Sequence, residues 1–319
     1  MRRTIATHGL MLVVSAIWGG HFVALHFLLQ ELAPPEVMLV RAILASGFYA
    51  AFLLLNRRAL PAIQRADWPR LITTGFLGIA VMGLGMVYAQ RFISAGVSSL
   101  IVTLNPIFTA LLAYLLLGQA LTRRQAGGVA LALGGFFVVL LLGAPGARFS
   151  VTNMAGVLLM ACSPLTWALY TVLSKPLLGR YPSSFVAAYG TIAGAVFLLP
   201  LASPHFARAV AALDARGWAS ALFSGILAMA VSYLIWYRAL RALQPTQVAV
   251  YMYLVPLWGI LFAALLLGES LTPFTLLGGA TILAGVVVTN TGARRPVAAA
   301  PPAVSAPAGQ AAGDRAAAD

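Results

Sequence analysis

The sequence predicts an all-α integral membrane protein of ten transmembrane helices, built as two inverted five-helix repeats with both termini cytoplasmic. Three observations lead there. The 319 residues are 61% hydrophobic and only 8% charged, whereas soluble domains carry about 25% charged residues. The apolar residues gather in ten runs close to the ~20 residues that cross a bilayer. Finally, a motif recurs: Val102-Thr103-Leu104-Asn105-Pro106-Ile107-Phe108 is echoed by Met252-Tyr253-Leu254-Val255-Pro256-Leu257-Trp258. The match continues to Leu117-Gly118-Gln119-Ala120-Leu121-Thr122 and Leu267-Gly268-Glu269-Ser270-Leu271-Thr272.

The first repeat covers residues 8–142, with spans near 8–29, 35–55, 69–89, 95–117 and 124–142. The second covers 154–291, with spans near 154–174, 183–201, 218–237, 246–267 and 273–291. Span 1 follows Arg2-Arg3 and has no small-residue cleavage site behind it, so it reads as a signal anchor. Helices are required because lipid offers unpaired backbone groups no partner, and the alternation of barrel strands is missing. The basic residues orient the chain. Arg2, Arg3, Arg57, Arg58, Arg65, Arg70, Arg123, Arg124, Lys175, Arg180, Arg238, Arg241, Arg294, Arg295 and Arg315 fall on one side. Only Arg91, Arg148, Arg208 and Arg216 fall on the other, which makes the richer side cytoplasmic. Scattered over short loops, the net charge of +13 does not suggest nucleic acid.

Five spans per repeat is an odd number, so the second copy enters the membrane from the opposite side. Such repeats commonly hold a solute near the midplane between them. Trp18 and Trp167 correspond across the copies, as do Trp68 and Trp218, which are expected to anchor at the interface. Proline inside a helix removes a hydrogen bond and costs about 3 kcal/mol in water. Pro106, Pro256 and Pro164 are therefore expected to break or kink spans 4, 9 and 6, freeing the carbonyls of Val102, Met252 and Met160. In span 5, Gly127-Gly128 and Gly134-Gly135 share one face, as do Gly278-Gly279 and Gly285 in span 10. Faces of that kind allow close helix contact, either as scaffold or as a homodimer surface. Residues 57–67 and 204–216 read as surface turns or loops, and the Ala/Pro-rich tail 296–319 as disordered.

Ionisable groups at membrane depth are functional candidates, and they are few. Glu31, Glu36 and Glu269 sit at span ends, where water is expected to reach them. His21 lies mid-span beside Trp18, either bonding a neighbouring carbonyl or serving as a substrate donor or protonation site. Arg41 is about seven residues into span 2, roughly 10 Å from its end. It either snorkels or pairs with a carbonyl or Glu36, or it binds an anion. Asn105 supplies an uncharged polar group. Tyr88, Tyr170, Tyr233, Trp236, Tyr251 and Tyr253 could form aromatic walls with polar tips. The lone Cys162 excludes a disulfide framework and a cysteine metal site, and no cofactor is expected.

On these residues the chain resembles the drug/metabolite transporter superfamily, in its ten-helix branch with two EamA-type repeats. Trp18-Gly19, Arg41, the two proline-containing spans with their Leu-Gly-(Gln/Glu)-x-Leu-Thr exits, glycine-rich spans 5 and 10, and Trp167 carry the likeness. Gln119 departs from it, since the family more often has Glu there. The resemblance implies a bacterial inner-membrane carrier working by alternating access, commonly outward. It further implies a cavity lined by spans 1, 3, 4, 6, 8 and 9, with spans 5 and 10 peripheral. The expected substrate site comprises Trp18, His21, Tyr88, Asn105, Trp167, Tyr170, Tyr233, Trp236 and Tyr251, with Pro106, Pro164 and Pro256 gating.

The expected function is export of amino acids or similar neutral or zwitterionic solutes. A multidrug extruder or an importer is the alternative. An integral-membrane enzyme is disfavoured, because four histidines, no paired carboxylates and no serine at a strained turn leave no nucleophile with its base. A receptor or channel would need a sensor domain or a charged pore ring.

Overall fold

The computed structural model describes residues 2–56, 61–117, 122–143, 150–242 and 250–291. Gln119, the residues around it and the tail 296–319 lie outside the described residues. Among the described residues every regular element is helical. Seven stretches are long and apolar enough to cross a membrane, and three shorter apolar helices accompany them. In the first repeat the helices are α1 (Arg2–Glu31), α2 (Pro34–Leu55), α3 (Trp68–Gly75), α4 (Met82–Ala89), α5 (Ala95–Val102), α6 (Asn105–Leu117) and α7 (Arg123–Leu142). In the second they are α8 (Val151–Arg180), α9 (Ser183–Val196), α10 (Phe206–Ala211), α11 (Ala215–Leu222), α12 (Ser232–Ala242), α13 (Val255–Leu267) and α14 (Pro273–Thr291).

The repeated exit motif is a helix stop followed by a helix start. Gly268 ends α13 in the left-handed conformation (φ +65°), which favours a residue without Cβ. Thr272 then accepts the Thr275 N–H at 3.1 Å to begin α14. In the first copy, Thr122 and Gln125 cap α7 reciprocally, at 2.9 and 3.2 Å. The proline positions behave unequally. α5 stops at Val102 and α6 restarts at Asn105, with Thr103 and Leu104 in tight i→i−3 turns. Before Pro256 a 3₁₀ segment, Val250–Leu254, leads into α13. Pro164 differs, since α8 continues through it without a break.

The repeats interleave, because each packs chiefly on the other: α1 on α13, α2 on α9, α4 on α8, α5 on α13 and α7 on α14. The glycine faces of spans 5 and 10 meet within one chain. A Cβ on Gly128 would strike Thr289, one on Gly135 would strike Gly278, and one on Gly285 would strike Ala132, whereas Gly127 and Gly134 face open space. Of the two uses expected for these faces, this is the scaffold contact. Two π-helical segments, Phe76–Val81 and Phe223–Val231, occupy corresponding places in spans 3 and 8. Such segments often mark functional sites.

Candidate functional site

Between the repeats lies a cavity that is partly open to the outside. Its wall is built largely of corresponding positions from the two copies. Trp18 pairs with Trp167, Gly78 with Ala228, Ile79 with Met229, Gly83 with Tyr233, Val102 with Met252, and Asn105 with Val255. The helix breaks and the π segments place these residues. Asn105 opens α6 at the interruption, and each π segment places two residues of its span on the cavity wall. Residues from spans 1, 3, 4, 6, 8 and 9 line it, with none from 5 or 10. Span 2 is an addition to the expected set, through Met38 and Arg41.

Trp18, His21, Asn105, Trp167 and Tyr233 line this cavity. Tyr170 lines a neighbouring small space that shares Gly78, Ile79, Trp167, Met229 and Tyr233 with the first. The aromatics form a chain of ring contacts, Trp236–Trp18–Tyr233–Trp167–Tyr170, with centroid separations of 5.3, 5.7, 5.5 and 5.6 Å. Trp18 Nε1 donates to the Ala228 carbonyl at 3.1 Å, tying span 1 to the second π segment. Three expected site residues fall elsewhere. Trp236 packs behind Trp18, Tyr251 bonds His8 Nδ1 through its hydroxyl at 2.6 Å, and Tyr88 lies exposed on α4. Pro106, Pro164 and Pro256 shape the helices without lining the cavity.

Polar groups concentrate on the first repeat. His21, Arg41 and Asn105 are all buried. Arg41 Nη2 donates to His21 Nε2 at 3.1 Å, and Nη1 reaches Met38 Sδ at 3.4 Å. Arg41 thus pairs neither with Glu36 nor with a helix-end carbonyl. Glu36 is itself a correction, because it is only 8% exposed. It accepts the Ala33 N–H at 3.1 Å and the Ser203 hydroxyl at 2.6 Å. The methionines escaped sequence reasoning: Met38, Met82, Met86, Met229 and Met252 all line the cavity. The repeat offset that pairs Ile79 with Met229 and Val102 with Met252 was the signal that could have found two of them.

A cavity walled by matching helices of two membrane repeats is the arrangement found in many carriers. The model of the EamA-like transporter family matches residues 6–141 and 154–291, so the chain belongs to that family. It is accordingly a multi-pass membrane transporter of the drug/metabolite type and not an enzyme. It is 32% identical to an uncharacterized transporter of Archaeoglobus fulgidus, over 89% of this chain and 97% of the relative. A probable terminal-alkyne amino-acid exporter of Streptantibioticus cattleyicolor is 34% identical, over 70% and 73%. A probable amino-acid metabolite efflux pump of Salmonella typhimurium is 28% identical, over 89% and 95%. One solved structure, titled only as the crystal structure of a protein, shares the fold with a TM-score of 0.61 at 18% identity, over 92% of this chain and 99% of that one.

Proposed function

We propose that this protein exports amino acids or closely similar zwitterionic solutes across the bacterial inner membrane by alternating access. The observation that carries the proposal is the cavity itself, walled by corresponding residues of both repeats. Two relatives named for amino-acid export support the substrate class. Ten spans, formed by the seven long and three shorter apolar helices, with both termini cytoplasmic, would make the repeats inverted and put the cavity near the midplane. Among the described residues no carboxylate lines the cavity, which favours exchange or uniport. Should protons be coupled, His21 is the group to carry them. Full-length protein in liposomes loaded with a mixture of unlabelled amino acids should accumulate labelled amino acid from outside by counterflow. A broad panel in which no amino acid moves would overturn the proposal. His21→Gln should remove any pH dependence of counterflow; a pH dependence that survives the change would exclude His21 as the proton carrier.

A further inference from the structure

A guanidinium buried to 5% exposure ordinarily needs an anion beside it. The chain has seven acidic residues, and five lie among the described residues. Each of the five is engaged elsewhere. Glu31 accepts the Asp214 N–H, Glu36 is held by Ala33 and Ser203, and Asp67 takes Arg180 and Tyr181. Asp214 caps α11 through the Gly217 N–H, and Glu269 takes the N–H groups of Ala95 and Gly96. Asp314 and Asp319 lie outside the described residues. Arg41 therefore has no carboxylate partner among the described residues, and its Nε–H has no acceptor there.

Its histidine neighbour extends the argument. A guanidinium only donates, so His21 Nε2 must be the acceptor in their 3.1 Å bond, which places the ring proton on Nδ1. That Nδ1–H is also buried without a partner. On the same cavity wall, the side-chain carbonyl oxygen of Asn105 is a buried acceptor with no donor. Two unpaired donors on a cationic pair and one unpaired acceptor make a pattern of opposite polarities. A cation alone would be repelled by Arg41, and a simple monocarboxylate would leave Asn105 unpaired. A zwitterion answers both ends. Five of the chain's nine methionines supply the remaining wall, an adaptable apolar surface that can follow side chains of different shape.

We propose that Arg41 and His21 receive the carboxylate of an apolar α-amino acid, while Asn105 receives its ammonium and the methionines its side chain. This rests on the amino-acid reading above for the identity of the solute, and the anion subsite stands on its own geometry. The test is equilibrium binding to the purified full-length protein of L-leucine, leucinamide (no carboxylate) and 4-methylpentanoate (no ammonium). Leucinamide should bind on the order of a hundred-fold more weakly than leucine, since Arg41 is then left unpaired. For 4-methylpentanoate the loss should be about ten-fold. Arg41→Gln should bring leucine down to the level of leucinamide, with Arg41→Lys between the two because it keeps charge and loses the planar fork. Asn105→Leu should erase the preference for leucine over 4-methylpentanoate. Leucinamide binding as tightly as leucine to the unaltered protein would overturn the site without recourse to any variant. Failure of both leucine and 4-methylpentanoate to bind at millimolar concentration would overturn it as well. If leucine binds by these rules but is not carried in liposomes, the export reading fails and the subsite stands. If leucine is carried and leucinamide competes equally, the subsite falls and export stands.

Discussion

At the residue scale, Glu269 shows what the polar residue of the motif's second copy holds. Its two carboxylate oxygens accept the Ala95 and Gly96 N–H groups at 2.9 and 3.0 Å, so an anion of the second repeat sits at the N-terminus of α5 in the first. Bonds of this kind to a charged acceptor are worth more than neutral ones. Glu269→Gln should lower stability by about 1 kcal/mol and Glu269→Ala by about 2 kcal/mol, read by thermal unfolding in detergent. Equal stability of all three forms would contradict the assignment. The sequence displayed Gly-Glu-x-Leu-Thr plainly, and its first glycine and last threonine were legible as helix punctuation. Its partner was not legible, because backbone N–H groups leave no trace in residue types. The same holds for Arg41. Its burial within span 2 could be read from the sequence, yet its pairing with His21 depends on how α1 and α2 lie against each other.

At the scale of elements, periodicity served well where a helix is regular and failed where it is not. Among the described residues the ten apolar runs are largely helical, and the seven-residue glycine spacing identified the close faces of α7 and α14. What spacing could not reveal was that these faces meet each other. Gly135→Val would drive a methyl-bearing Cβ into the Gly278 carbonyl region and force the helices apart. The cost of such overpacking is about 1–3 kcal/mol. Gly134→Ala, one residue away in open space, should be neutral or stabilising by up to about 1 kcal/mol. Thermal unfolding of the two variants side by side checks the helix pair, and equal losses would contradict it. Three prolines looked alike in sequence, but only those at the repeated motif interrupt their spans. Pro164 is carried within the 30 residues of α8. The π segments were invisible beforehand, since an extra residue per turn carries no composition of its own.

At the scale of the molecule, polar contacts tie one repeat to the other at both ends of the bundle. Where α1 ends and α5 begins, Glu31 meets Asp214, Glu36 meets Ser203, and Glu269 meets Ala95 and Gly96. At the opposite end, Asp67 takes Arg180 at 2.8 Å and Tyr181 at 2.9 Å, and the Tyr181 hydroxyl also accepts the Gln64 N–H. Under the alternating access proposed above, one set would have to release while the other holds. In the proposed mechanism solute passes through the cavity between the repeats. Chemical labelling tests it most directly. The chain's single cysteine, Cys162, can be replaced by serine and one new cysteine introduced at Val102→Cys or Met252→Cys, on opposite repeats of the cavity wall, with Tyr88→Cys as the exposed control. In liposomes, L-leucine should slow reaction of both cavity cysteines with a water-soluble maleimide several-fold and leave the control unchanged. Unchanged rates at both cavity positions, in a protein that still carries leucine, would place the path elsewhere.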